Sequence, residues 1–369
     1  MEVFMQNGFA LLFFLSTGLF AQTNFERLEA LKTTNLKRIA FGSCNNQNEA
    51  QPLWKDLMIT KPDLWIWGGD IIYADWERNY DIKGSYEKQK RKPAYQAFIK
   101  QTPVIGIWDD HDYASNDSDG RNSFKERNQK FLLDFLDEPE HSPRRTQQGV
   151  YTSYEFGEEG KKVKVLLLDG RYFKNLERTA PVLGNKQWDW LENELKNSTA
   201  QVHFIMTGLS IFSPLLPYSE EWWHWPSEVK RLLKILDDHK PQGVVFLTGD
   251  KHFASIFRSY GQLEFLSSGM THVIDRRVWW YLGRKYSTTY FGLNYGMVDI
   301  EWDGNTPLIG LAIRTPSHRN IHQQKYRWGE EKWERQWQLW EVGRDETEVE
   351  DRETRELPLP LQVMPEDMH

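Results

Sequence analysis

The sequence holds a single cysteine, Cys44, among 369 residues. No internal disulfide can form, so the sulfur is a small buried hydrophobe, a free thiol or a metal ligand. Basic charge is also short. Lys and Arg number 46 against 53 Asp and Glu, a net charge of −7, which argues against general nucleic-acid binding because such surfaces are basic. The one strongly apolar stretch, Phe9–Phe20, is too short to span a bilayer comfortably, so no transmembrane anchor is expected. There is no Gly-x-Ser-x-Gly elbow, which disfavours a serine nucleophile of the α/β-hydrolase kind. No internal repeat is apparent.

What is present describes a globular chain. Hydrophobic residues make up 39% and charged residues 27%, and the length suits one large domain with appendages. Seventeen tryptophans are many for this size. Buried aromatic payload accounts for them better than a platform for a sugar or base. Residues 1–21 read as an export signal: the apolar run ends in small residues near Ala21, although the usual basic start is missing. The location implied is secreted or periplasmic. The following stretch, Thr23–Asn35, reads as a polar linker.

Short apolar runs recur, each closed by glycine, polar or acidic residues: Lys37–Phe41, Leu64–Trp67, Val104–Trp108, Val163–Leu168, Val202–Met206, Val244–Leu247 and Leu263–Leu266. Their length and their β-branched and aromatic content predict buried strands. Helical spacing lies between them, in Phe131-Leu132-Phe135, Trp188-Leu191-Leu195 and Val229-Leu232-Leu233-Leu236. Strands alternating with helices make an α/β protein. Met297–Trp302 and Leu308–Ile313 read as a last hairpin around Asp303-Gly304. Trp333, Trp337 and Trp340 have helical spacing and predict a C-terminal helical extension over 316–343. From 344 to 369 acids and prolines dominate, and disorder is expected.

Four strand ends carry groups that bind metals: Gly42-Ser43-Cys44, Gly68-Gly69-Asp70, Trp108-Asp109-Asp110-His111-Asp112 and Thr248-Gly249-Asp250-Lys251-His252. A carboxylate just past a buried strand stands at the sheet edge where open α/β sheets bind ligands. Acids gathered on one edge repel one another, and cations remove the conflict. Each Gly-Asp alone is a common turn; their order along the chain carries the inference. A thiolate is soft and argues for iron or zinc at one position. Carboxylates with a phenolate suit ferric iron, and oxygen-only ligation suits calcium.

These segments, with Asp70-Ile71-Ile72-Tyr73, Leu168-Asp169-Gly170-Arg171-Tyr172, Leu183-Gly184, Trp223-His224-Trp225-Pro226 and Asn294-Tyr295-Gly296, resemble the PhoD-like alkaline phosphatases. That family is a branch of the calcineurin-like metallophosphoesterases. The resemblance runs from about Lys37 to Ile313, in a domain set at 36–315. It implies a four-layer α/β/β/α sandwich with mixed sheets, and a cluster of Fe3+ with Ca2+; Zn2+ or Mn2+ are alternatives. It implies Cys44, Asp70, Asp110, Asp250 and His252 as metal ligands, Asp70 bridging. A tyrosine between the second and third motifs is also implied: Tyr86 fits best by spacing, with Tyr73 and Tyr95 as rivals.

His111 is the candidate catalytic acid, or else a residue that only orients Asp110. Arg171 is the candidate phosphate contact, or else an ion-pair partner of Asp169 or another acid. Asn116 is a further candidate contact. The expected activity is hydrolysis of phosphate esters, monoesters and diesters, by a metal-bound hydroxide. A dedicated phosphodiesterase or phospholipase, its substrate flanked by Trp222-Trp223 and Trp279-Trp280, is the alternative. A non-catalytic sugar- or surface-binding protein on the same fold is the third.

Overall fold

In the computed structural model the chain is described over residues 22–175, 177, 181–212, 220–274, 288–329 and 332–336. The export signal expected at 1–21, the tail at 344–369 and the pair Trp279-Trp280 lie outside those residues. No described helix is long and apolar enough to cross a membrane.

The chain does not run as a polar linker before the first strand. It forms helix α1 (Asn24–Leu31), because Thr23 and Glu26 make a reciprocal capping box and Leu28 faces the body. Asn24 Nδ2 then donates to Val104 O at 2.7 Å, fastening the helix to the start of a strand. The first half continues as β1 (Arg38–Gly42), α2 (Leu53–Thr60), β2 (Leu64–Gly68), α3 (Ile82–Lys90), α4 (Pro93–Ile99), β3 (Val104–Ile107), α5 (Asp110–Tyr113) and α6 (Lys125–Phe135). The second half runs β4 (Thr152–Phe156), β5 (Val163–Leu167), α7 (Asn185–Lys196), β6 (Val202–Thr207), α8 (Pro226–His239), β7 (Val244–Thr248), β8 (Ala254–Ser259), β9 (Gln262–Ser267) and β10 (Thr289–Tyr290). Four strands follow: β11 (Tyr295–Asp303), β12 (Thr306–Arg314), β13 (Asn320–Gly329) and β14 (Lys332–Gln336).

The strands form two mixed sheets, in the orders β14-β13-β12-β11-β1-β2-β3 and β10-β8-β9-β7-β6-β5-β4. Their facing sides share one apolar layer in which Phe41 of β1 meets Phe265 of β9 edge-on, with centroids 4.9 Å apart. Alternation along β2 turns Trp65 and Trp67 the other way, onto Trp54 of α2, at 5.4 and 5.5 Å. A second apolar layer joins the other sheet to α7 and α8 through Trp188, Leu191, Leu232 and Phe246. Helices, sheet, sheet and helices make the expected four-layer sandwich. Among the described residues most tryptophans are buried, and this includes Trp222, which packs beside Trp188 and offers no surface to a substrate.

The expected C-terminal helix over 316–343 is overturned where the chain is described. Residues 320–329 and 332–336 are strands β13 and β14, which extend the first sheet from β12 in antiparallel register, Ile309 opposite Tyr326. Inward positions recur at every second residue, Gln324 and Tyr326, which suits a strand added to an open sheet edge. Trp333 is buried, and its indole donates to Val244 O at 2.9 Å.

Candidate metal centre

All the parallel strands end at one edge. Gly42 pairs beside Trp67, Gly68 beside Ile107, and Thr207 beside Thr248, so the loops after β1, β2, β3, β6 and β7 leave the sheets together. Two glycines permit the crowding. Gly69 has φ +91°, and a Cβ there would stand 2.4 Å from Asp109 Cβ. A Cβ on Gly208, after β6, would meet the Asp109 carboxylate at 2.4–2.7 Å.

Cys44, Asp70, Asp250 and His252 all have left-handed backbones, with φ of 59°, 49°, 71° and 59°. For residues with a Cβ this conformation costs roughly 1–2 kcal/mol each, and it clusters where function demands it. Hydrogen bonds hold these turns: Asn45 N donates to Asp70 O at 2.8 Å, and Gly249 N to Gly208 O at 2.9 Å.

Three sets of donor atoms converge, with the atoms of each set within 4.8 Å of one another: Cys44, Asp70 and His252; Asp70, Asp110 and His111; and Asp70, Asp109, Asp110 and Asp250. Asp70 belongs to all three, which is the position of a bridging ligand. Cys44 Sγ lies 3.4 Å from Asp70 Oδ2. Of the three tyrosines weighed, Tyr73 reaches the cluster: its hydroxyl donates to Asp70 Oδ2 at 3.0 Å and lies 3.2 Å from His252 Nε2. Tyr86 does not take that place. It sits on α3 with its ring against Phe135, because a helix intervenes between the second and third motifs and carries it into the core. Tyr95 likewise packs on Phe135 and accepts from Trp67 Nε1 at 3.2 Å.

The electrostatics are those of anions assembled for a cation. Burial, then the charges of Asp110, Asp109, Asp112 and Asp250, push the Asp70 carboxyl well above its usual range. Burial and the charges of Asp70 and Asp250 push the Cys44 thiol up in the same way. Asp112 is pushed to about 7, chiefly by burial, although the N–H groups of Ile71 and Asp109 bond its carboxylate. Asp109 Oδ2 is buried with no hydrogen-bond partner. Soft sulfur, phenol, imidazole and carboxylates meeting at one point suit transition-metal and hard cations together, and a bound cation would reverse each of those upward shifts.

His111 is buried beside the cluster. Its Nδ1 lies 2.8 and 2.9 Å from the two oxygens of Asp75, a residue the sequence did not single out. Burial draws the imidazole pKa down, but the Asp75 hydrogen bond and the charges of Asp110, Asp75 and Asp250 outweigh it and leave it raised. Arg171 is wholly buried. Its Nε donates to Asp109 Oδ1 and its Nη1 to Glu220 Oε2, both at 2.5 Å, while Nη2 lies 3.9 Å from Asp110 Oδ1 without a hydrogen bond. Asp169 makes no ion pair with the Arg171 guanidinium; its carboxylate accepts from the backbone N–H groups of Arg171, Tyr172 and Val150 and from Trp108 Nε1, at 2.9 Å each. An open depression of about 1070 Å³ adjoins Asp75 and is lined by Tyr80, Asn116, Ser118, Arg121 and Asn122. Asn116 therefore borders the opening, where its N–H donates to Asp75 Oδ2 at 3.2 Å.

A family model described as PhoD-like phosphatase matches residues 39–268, more than half of the chain. Among solved structures the chain is similar to one titled "Structure of PhoD", at 16% identity and a TM-score of 0.63, covering 82% of this chain and 72% of that one. It is also similar to a dimetal phosphatase from Danio rerio, at 12% identity and a TM-score of 0.52, covering 80% of this chain and 100% of that one. A third is GAP50, titled as the anchor in the inner membrane complex of Plasmodium, at 12% identity and a TM-score of 0.53, covering 80% and 90%. At these identities the structures show a shared fold. No curated protein sequence matches the chain.

Proposed function

The chain belongs to the PhoD-like phosphatase family, and from that premise we propose that it hydrolyses phosphate esters with two or more cations held at this strand edge. The observation that carries the proposal is the position of Asp70, whose carboxylate is shared by three converging donor sets. Cys44, Asp70, Tyr73 and His252 would hold iron in the ferric state; Asp110 and Asp250, with Asp70 shared, would complete a neighbouring, harder, all-oxygen site that suits calcium. Zinc and manganese fit the same donors and are separated from iron by elemental analysis. Bound cations supply a water of lowered pKa and neutralise the phosphate.

The chain's own residues do the rest. Asp75 keeps the His111 ring in place and favours its protonated form, so the imidazolium can stabilise phosphoryl oxygens or protonate the leaving oxygen. Arg171 neutralises Asp109 and Glu220 first, and has only Nη2 left to offer a phosphate oxygen. It is a positioning strut before it is a substrate contact. The depression beside Asp75 leaves room for a leaving group, and Trp76, 54% exposed, stands edge-on to His111.

Room for a second ester substituent supports activity on diesters as well as monoesters, and the apolar segment Phe9–Phe20 supports export. The gathered acids and the thiol speak against a purely sugar- or surface-binding role. The test is hydrolysis of p-nitrophenyl phosphate and of its bis-ester, with and without chelator. Chelator-sensitive release from either ester supports the reading, and their ratio assigns the mono- or diester preference. Inactivity towards both after reloading with iron and calcium contradicts it.

A further inference from the structure

The loop after β9 brings a second histidine to the cluster, 20 residues beyond His252 and outside every motif in the sequence. His272 Nε2 lies 3.2 Å from His252 Nε2, with the two rings at 82° and their centroids 4.4 Å apart. Tyr73 closes the group, its ring 4.7 Å from that of His272 and its hydroxyl 3.2 Å from His252 Nε2.

Hydrogen bonding fixes which His272 nitrogen is bare. Thr271 Oγ1 accepts from Asn46 N at 2.8 Å and donates to Cys44 O at 3.2 Å. Its own proton is therefore spent, and the 3.0 Å contact with His272 Nδ1 needs a proton from the ring. That makes His272 the Nδ1–H tautomer and leaves a lone pair on Nε2, facing His252 and Tyr73. A metal-bound histidine is usually held in this way, through its other nitrogen.

The loop itself is built onto the cysteine loop. Met270 N donates to Ser43 O and Thr271 N to Cys44 O, each at 3.2 Å, while Ile274 N donates to His252 O at 3.0 Å. His272 is thus tied by backbone to the segments that carry both neighbouring donors. Two nitrogens about 2.1 Å from one ion stand roughly 3.0–3.4 Å apart when their bonds meet at about 90–110°. The 3.2 Å separations of His252 Nε2 from His272 Nε2 and from Tyr73 Oη fall in that interval.

We propose that His272 is a further metal ligand of this centre, sharing one cation with His252 and Tyr73 and oriented by Thr271. The inference rests on the metal-dependent reading above. It gives one cation two imidazoles, a donor set suited to a transition metal rather than to calcium.

The experiment uses the full chain as purified. X-ray absorption fine structure at the edge of the transition metal it holds counts bound imidazoles, and elemental analysis after dialysis against graded chelator ranks metal affinity. Both are done for the unaltered chain, His272→Ala and Thr271→Val. The expected result is two imidazoles in the unaltered chain, one in His272→Ala, and affinity about 10–100-fold lower in that variant. Thr271→Val keeps the ring but loses its orientation, and is expected to weaken affinity about tenfold. If His272→Ala does not fold, Thr271→Val decides the matter alone. Unchanged affinity and imidazole count in the variants overturn the inference and leave the functional reading standing. An unaltered chain that takes up no transition metal overturns both.

Discussion

Both carboxylate oxygens of Asp75 lie within 2.9 Å of His111 Nδ1, so the imidazole next to the proposed ligand Asp110 has its orientation set from outside the three donor sets. A group held in this way acts as an acid or an electrostatic partner, and loses its use when the tether is cut. His111→Ala is expected to retain metal while turnover falls about 10²–10⁴-fold, the range of a single positioned acid. Asp75→Asn should follow with a smaller loss and full metal content. Steady-state rates paired with elemental analysis check this; metal loss in His111→Ala would mark the residue as a ligand.

Arg171 balances Asp109 and Glu220 in a place closed to solvent. Removing one member of a buried ion network leaves the others uncompensated, at a cost of about 3–5 kcal/mol. Arg171→Ala is therefore expected to unfold at markedly lower denaturant concentration. A variant as stable as the parent, but with raised KM, would show Arg171 to be a substrate contact alone.

Gly208 lies directly against the Asp109 carboxylate, with no room for a side chain. A methyl group at 2.4–2.7 Å from those atoms must displace the Asp109 carboxylate and its contact with Arg171. Gly208→Ala should lose metal affinity and turnover together while the fold survives by circular dichroism. Normal metal retention would mean that the carboxylate yields without cost to the centre.

Away from the centre, His203 on β6 is buried, with Nδ1 2.6 Å from Gln242 O and Nε2 2.7 Å from Ser198 Oγ. Burial draws its pKa down to about 4. The folded value lies below the unfolded value of roughly 6.5, so the unfolded chain binds the proton first as pH falls. Stability from this residue is complete above about pH 6.5, declines towards pH 4, and then levels, a loss of about 3 kcal/mol. Melting curves across that window, compared with His203→Asn, isolate the contribution; parallel curves would refute it.

The parts of the fold legible in the sequence were those buried on both sides. β2, β5, β6 and β7 are buried along their whole length and mostly apolar, Lys164 and His203 being the charged or titratable exceptions, because helices or a second sheet cover each face. β4 and β13 are half-exposed, their patterns are largely polar, and their pairing to an edge is a tertiary fact that no local period carries. Trp333 suggested a helix only through two further tryptophans that lie outside the described residues.

At the centre, Cys44, Asp70, Asp110, Asp250 and His252 were legible because each follows a strand that fixes its position. Spacing along the sequence favours Tyr86, yet Tyr73 shares a loop with Asp70 and needs no intervening element to reach it. Asp75 and His272 carried no signal. They reach the centre through a short helical turn and through the loop after β9, neither of which a motif announces.

The most direct test of the whole account is Asp70→Asn, measured for metal content and phosphate-ester turnover against the unaltered chain. The account predicts that the unaltered protein carries iron with a second cation, and that the variant loses bound metal and activity together, since one substitution removes the charge common to all three donor sets. A variant that keeps its iron and full turnover would contradict it.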